Sequence, residues 1–188
     1  MSQLSRSELL MMLLAAPGPS GKPAEPVQGT TRLQKLLFLL EHEAKLKPQG
    51  ADFQFEPWKF GPVSKELYDD LEKLENLGFL ESEPVSAPST AELDEYGLSF
   101  DDLMGGEESQ SSVETLEEKQ YRLTTRGLDW ITKQQRNDPP KAAAVEEVRR
   151  LKSKYAGLSL KDLLYYVYTK YPTMTTASEI RGQVIRRR

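Results

Sequence analysis

The chain contains no cysteine, one histidine (His42) and no apolar run approaching membrane-spanning length. Without cysteine there is no disulfide framework, no thiolate metal site and no cysteine nucleophile. With a single imidazole, a zinc or iron centre would need carboxylates to complete it, and a Ser–His–Asp triad would have to be built on His42. Neither a G-x-x-x-x-G-K-[ST] nor a G-x-G-x-x-G element occurs, and no segment repeats. No catalytic residue, metal ligand or cofactor is therefore expected. The run from Leu9 to Ala16 follows Arg6, as in a leader peptide. It adjoins Glu8, however, lacks an A-x-A site before Pro17, and is far shorter than the ~20 residues of a membrane span. Ser5 with Glu8 reads instead as a capping box opening a soluble helix, so a cytoplasmic protein with no membrane contact is expected.

The 188 residues are 38% hydrophobic and 29% charged, enough for one ordinary domain or two small ones. The net charge of −4 is unevenly spread. Residues 1–85 carry 9 basic and 13 acidic groups, residues 86–118 carry 10 acidic groups and no basic one, and residues 119–188 carry 16 basic and 6 acidic groups. The C-terminal third is thus expected to meet an anion: nucleic acid, another protein, or the chain's own acidic middle.

Periodicity and punctuation predict a helix over 6–16 and a Pro/Gly-rich loop over 17–29. A central helix over about 32–46 follows, opened by a Thr31–Gln34 box and carrying Leu33, Leu36, Leu37, Leu40 and Ala44 on one face. Phe53 and Phe55 alternate as in a short strand. Gly61-Pro62 is expected to start a third helix with Val63, Leu67, Leu71, Leu74 and Leu77 inward and Gly78 as its C-cap. Strands over 79–85 and 119–123 flank the acidic stretch 86–118, in which Tyr96, Leu98, Phe100, Leu103 and Met104 offer an apolar anchor. A helix capped by Thr124 or Thr125 precedes the break at Asn137–Pro140. Helices follow over about 141–155 and from Ser159 to Pro172, and a Thr176–Glu179 box opens a last one before Arg186-Arg187-Arg188. The apolar stripe Leu160, Leu163, Leu164, Val167, Tyr168 and Tyr171 is expected to pair two subunits as a homodimer.

Two stretches, Leu74-x-x-Leu77-Gly78-Phe79-Leu80 and Tyr121-Arg122-Leu123-Thr124-Thr125-Arg126-Gly127, together resemble the wing of MarR- and PadR-type regulators over roughly residues 30–135. This implies a mainly α, α+β winged helix-turn-helix with a small antiparallel β wing and additional C-terminal helices. The winged-helix domain would span 1–136 with an acidic wing-tip insertion at 86–118, and 137–188 would be a helical extension for dimerisation or partner binding. The resemblance implies a prokaryotic DNA-binding transcription regulator. A second set, Leu33-Gln34-Lys35-Leu36-Leu37-Phe38 with Trp58-Lys59-Phe60-Gly61-Pro62-Val63, is similar to the Panacea (SocA-like) antitoxin domain. It implies an antitoxin-like or adaptor module that acts through a protein partner, a toxin among the candidates.

The predicted third helix presents Ser64, Lys65, Glu66, Asp69, Asp70, Glu72, Lys73, Glu75 and Asn76 outward. That face is acidic, so duplex DNA would have to be gripped by Lys59, Ser64 and Lys65 at the helix start and by Lys119, Arg122 and Arg126 at the wing. Arg149, Arg150, Lys152 and Lys154 are either a phosphate patch or a solvated face. Among the aromatic residues that could stack on bases or a partner, Tyr168 and Tyr171 lie on the apolar stripe. Tyr165 and Tyr166 lie off it and, with Trp58 and Phe60, are the candidate partner-binding residues. His42 reads as a satisfied structural histidine. Asp69-Asp70 and Asp101-Asp102 read as a divalent-ion site or as solvated carboxylates.

Overall fold

A computed structural model of the chain describes residues 4–46, 52–84, 119–136 and 138–185. The expected acidic wing tip, with its apolar anchor, and Arg186–Arg188 lie outside them. The first helix, α1 (Arg6–Ala15), opens on the box that its sequence encodes. The Ser5 hydroxyl accepts the Glu8 amide at 3.1 Å, and the Glu8 carboxylate accepts the Ser5 amide at 2.9 Å. Every residue from Glu8 to Leu14 is buried, so α1 is apolar all round because it is enclosed all round. Glu8 tolerates this through an ion pair with the equally buried Lys141.

Strand β1 (Val27–Gln28) leads to α2 (Thr30–His42), the hairpin β2 (Glu56–Trp58) and β3 (Gly61–Val63), α3 (Glu66–Asn76), β4 (Leu80–Pro84) and β5 (Lys119–Leu123). Helices α4 (Thr125–Arg136), α5 (Pro139–Tyr155) and α6 (Leu160–Lys170), a 3-10 turn at Pro172–Thr175 and α7 (Arg181–Ile185) complete the chain. The protein is thus mostly helical with small antiparallel sheets, an α+β arrangement. In the larger sheet β5 lies between β1 and β4, pairing Val27 with Tyr121 and Leu80 with Leu123.

The region between α2 and α3 departs from expectation. Gly61-Pro62 does not start a helix; it forms β3, with Pro57 opposite Pro62 in a two-stranded ribbon that needs neither missing N–H. Gly61 sits at φ +80°, and a Cβ there would stand 3.0 Å from the Tyr168 ring, so the turn demands glycine twice over. Phe53 and Phe55 lie outside the strand; Phe53 is buried, its amide held by the Glu41 carboxylate at 3.0 Å. The Thr31–Gln34 box is absent because Gln34 has a distant partner. Its side chain accepts the Ser64 amide at 3.0 Å and donates to the Ser64 carbonyl at 2.9 Å. Beside it, Lys35 Nζ donates to the Pro62 carbonyl at 2.9 Å from a fully buried position. Helix α2 ends at His42 rather than near residue 46.

In α3, Leu67, Leu71 and Leu74 point inward as expected. Leu77 does not, being 43% exposed. Gly78 ends the helix in a Schellman arrangement, with the Gly78 amide on Glu75 O and the Phe79 amide on Leu74 O. Thr124 accepts the Gly127 amide and donates to the Gly78 carbonyl, joining the starts of α4 and β4. Any Cβ at Gly127 would fall 2.0 Å from the Phe79 carbonyl oxygen, so this close crossing requires glycine.

The C-terminal helices share the same core. Val148, Leu151, Tyr155, Leu163, Leu164, Val167, Tyr168 and Val184 join the hydrophobic cluster that begins at Leu9. Lys152 Nζ donates to Ala16 O at 2.7 Å and Glu25 O at 3.1 Å, capping the end of α1 from 136 residues away in sequence. Of the α6 stripe, Leu163, Leu164, Val167 and Tyr168 are buried in the chain's own core, while Leu160 and Tyr171 are partly buried. The Thr176–Glu179 box does not form: Thr176 bonds to Thr173 O, and Glu179 pairs with Lys59. No helix among the described residues is long and apolar enough to cross a membrane.

Burial pushes Lys35 down to about 7 and Lys152 down to about 8, whereas unfolded lysines titrate near 10.4. From about pH 7 to 10 the unfolded chain therefore holds more protons, and stability rises with pH. Above about pH 10 the sign reverses, because burial holds Tyr68 and Tyr155 protonated in the fold while free tyrosines ionise. The urea midpoint is expected to climb from pH 7 to 9, and Lys35→Met should flatten the climb. A wild-type midpoint that stays level over this range would overturn the assignment.

Candidate functional site

The cations expected to grip a duplex are mostly occupied. Arg122 on β5 faces Glu81 on β4 in direct register. Its Nε lies 2.7 Å from Glu81 Oε1, and its Nη2 lies 2.7 Å from Glu83 Oε1, a cross-strand clamp. Lys59, at the β2–β3 turn, lies 3.3 Å from Glu179, and Lys65 lies 4.0 Å from Glu56. Ser64 is fully buried, correcting its expected outward position: its backbone is clamped by Gln34 and its hydroxyl accepts the Leu67 amide. Asp70, also expected outward, is buried and held by Arg6 at 2.8 Å and Ser7 at 2.9 Å. Lys119 and Arg126 remain exposed, with the Arg126 guanidinium over the Phe79 ring at 5.0 Å. Asp69, Glu72, Lys73, Glu75 and Asn76 form the exposed face of α3.

The two halves of the second motif meet. Gln34 and Lys35 hold the hairpin exit from one side. On the other, the Ser178 hydroxyl and the Glu179 amide both donate to Lys59 O, and Tyr168 bonds to Ser178. Phe60 is buried in the core, a correction to its expected role at a partner surface, while Trp58 is half-buried. Arg149 and Arg150 make exposed pairs with Glu146 and Glu147, the solvated face of α5, whereas Lys152 points inward.

A polar knot that sequence reasoning missed gathers where α2 ends. Glu43 accepts the Tyr155 hydroxyl at 2.6 Å on Oε2, and on Oε1 it accepts the Tyr166 hydroxyl at 2.6 Å and Lys170 Nζ at 2.8 Å. The Tyr171 hydroxyl approaches at 3.4 Å and Lys154 Nζ at 3.9 Å. The Tyr155 and Tyr166 rings lie 5.0 Å apart. Lys154 sits 4.6 Å from the Tyr155 ring centroid, and Lys170, bonded to the Tyr166 hydroxyl at 2.8 Å, lies 5.2 Å from the Tyr166 centroid and 5.7 Å from that of Tyr171. Burial opposes the Glu43 charge, but hydrogen bonds from Lys170, Tyr155 and Tyr166 outweigh it and hold the carboxyl at about 2. The same contacts raise Lys170, and burial with the Glu43 charge raises Tyr155. Tyr166, expected at a partner surface, thus belongs to this knot; Tyr165 is half-buried outside it. The i, i+4 pairing of Tyr166 with Lys170 was the one sequence signal. Beside the knot, His42 stacks on Phe38 at 4.0 Å with Nδ1 2.9 Å from Phe38 O, a packed structural residue.

Among the described residues no group of three or more histidine, aspartate or glutamate side chains is placed to hold a metal ion. Compared with models of known protein families and with curated proteins, the chain matches none.

Because the Glu43 carboxyl is held below its unfolded value, its contribution to stability is present above about pH 4.3 and is lost as pH falls toward 2. Glu43→Gln should cost about 1–3 kcal/mol at pH 7 and remove that acid limb. It should also bring Tyr155 down toward the free-tyrosine range. Urea melts across pH 2–7 and ultraviolet titration check both, and an unchanged acid limb would refute the assignment.

Proposed function

We propose that the chain is a non-catalytic winged-helix module that works in the prokaryotic cytoplasm through a basic protein partner, in the manner of an antitoxin or adaptor. The element order supports the winged-helix reading. Helix, strand, helix, helix and two-stranded wing run as α1, β1, α2, α3 and β4–β5, with β1 completing the sheet against β5. The β2–β3 hairpin stands where the simplest form has a turn.

The observation that carries the choice of partner is the Arg122 clamp. A wing arginine already neutralised by Glu81 and Glu83 has little attraction left for phosphate, and phosphate contacts dominate nucleic-acid affinity. The helix that would enter the major groove presents Asp69, Glu72 and Glu75, which repel a duplex and attract a cationic surface. A second reading, regulation through duplex DNA, draws on the exposed Lys119 and Arg126 at the wing.

Fluorescence anisotropy at low salt separates the two. The wild type is expected to leave mixed-sequence duplex DNA unbound and to bind polylysine with an affinity that falls as salt rises. Converting Asp69, Glu72 and Glu75 to lysine should weaken polylysine binding by about tenfold. Salt-sensitive DNA binding that Lys119→Glu with Arg126→Glu abolishes would overturn the protein-partner reading and establish the regulator.

A further inference from the structure

We propose that Tyr155, Tyr166, Tyr171 and Glu43 form a recognition cage for a primary ammonium group, filled in the free protein by the chain's own Lys170, and that a lysine side chain of the partner takes its place. This rests on the reading of a basic protein partner and adds the site at which that partner is read. Cation recognition by proteins recurrently uses aromatic faces around a positive charge. Here Lys170 Nζ lies at the hydroxyl edge of Tyr166, 5.2 Å from that ring's centroid, and 5.7 Å from the Tyr171 ring, with a Glu43 carboxylate oxygen at 2.8 Å. Its second hydrogen bond goes to the Tyr166 hydroxyl, also at 2.8 Å.

Three features make the occupant exchangeable. Lys170 belongs to the last turn of α6, and its side chain is 48% exposed, so the ammonium can withdraw into water without moving the backbone. Lys154 approaches the same carboxylate at 3.9 Å with 62% of its side chain exposed. Two ammonium groups therefore converge on one negative charge, so Glu43 keeps a cation beside it when Lys170 withdraws. The walls stay in place when Lys170 leaves. Tyr155 is buried and bonded to Glu43, and Tyr171 packs edge-on against Phe38 at 5.0 Å.

The contacts also set the ligand class. Lys170 acts as a point donor to Glu43 and to a phenol oxygen, which a primary ammonium reproduces. A quaternary ammonium keeps the ring attraction and loses both hydrogen bonds. A guanidinium is planar and spreads its donors in a fork that these two oxygens do not present. A tethered lysine competes at an effective concentration in the millimolar range, so the wild-type cage takes a free lysine weakly and a docked partner's lysine well.

The test uses the full chain with Lys170→Met, a capped Gly-Gly-Lys-Gly-Gly peptide and its Gly-Gly-Met-Gly-Gly counterpart, read by ring 13C–1H NMR signals of Tyr166 and Tyr171. The variant is expected to bind the lysine peptide at about millimolar concentration, roughly tenfold or more tightly than wild type. It should ignore the methionine peptide and lose binding when Glu43→Gln is added. No ring shift in the variant, equal affinity in wild type, or an equal response to the methionine peptide would each overturn the cage. Should Lys170→Met not fold, Lys170→Gln replaces it. In the wild type itself, the ε-methylene signal of Lys170 should move toward its free-lysine position as lysine peptide is added. Failure here leaves the polylysine result on α3 standing, and failure there leaves the cage standing without its docking face.

Discussion

Gln34 and Lys35 are consecutive polar residues set between Leu33 and the apolar run Leu36–Leu40 of α2, and both are buried. Their targets are the Ser64 backbone and the Pro62 carbonyl, the last backbone groups before α3 begins. Everything downstream takes its position from that grip. The hairpin is pinned on α2, the Ser64 hydroxyl is placed to receive the Leu67 amide, and α3 then delivers the chain through Gly78 into β4. A lysine ammonium without a carboxylate partner is costly to bury, and its hydrogen bond to Pro62 offsets part of that cost. Leucine at this position would pack, yet it would leave the Pro62 carbonyl enclosed and unpaired.

A second ordering principle is the pairing of charge within the chain. Positive groups in the C-terminal part meet acids or carbonyls from the N-terminal part: Lys141 with Glu8, Lys152 with Ala16 and Glu25, and Lys170 with Glu43. Part of the basic excess of residues 119–188 is thus paired within the chain. What remains open to solvent on α3 is of the opposite sign.

Local signals were legible and distant ones were not. The Ser5–Glu8 box, the Gly78 cap, the Thr124 cap and the Ser159 hydroxyl, which accepts the Asp162 amide at 3.1 Å at the start of α6, each act within a few residues, so composition and spacing expose them. The Thr31–Gln34 pattern has the same spacing and failed because a partner 30 residues away in sequence took the side chain. Gly61-Pro62 suits a helix start in isolation; the turn and the Tyr168 ring decide for a strand. Leu77 matched the apolar period of α3, yet the helix closes at Gly78 and turns its last leucine to solvent. The Glu43 knot joins residues from three helices over more than a hundred positions, and no periodicity announces a contact of that range. Phe60 and Tyr166 were both singled out as surface aromatics. The fold buried the first and gave the second a charged neighbour.

The two ties on α1 also set an order of events during synthesis. Glu8 waits for Lys141, a partner 133 residues later, and the carbonyls of Ala16 and Glu25 wait for Lys152. Until those lysines leave the ribosome, a helix with seven consecutive buried positions has neither its countercharge nor its C-terminal cap, and its apolar surface has only part of its covering. Contacts of such long range make folding slow and leave hydrophobic surface exposed in the growing chain. The core that begins at Leu9 is therefore complete only once α5, α6 and α7 have been made.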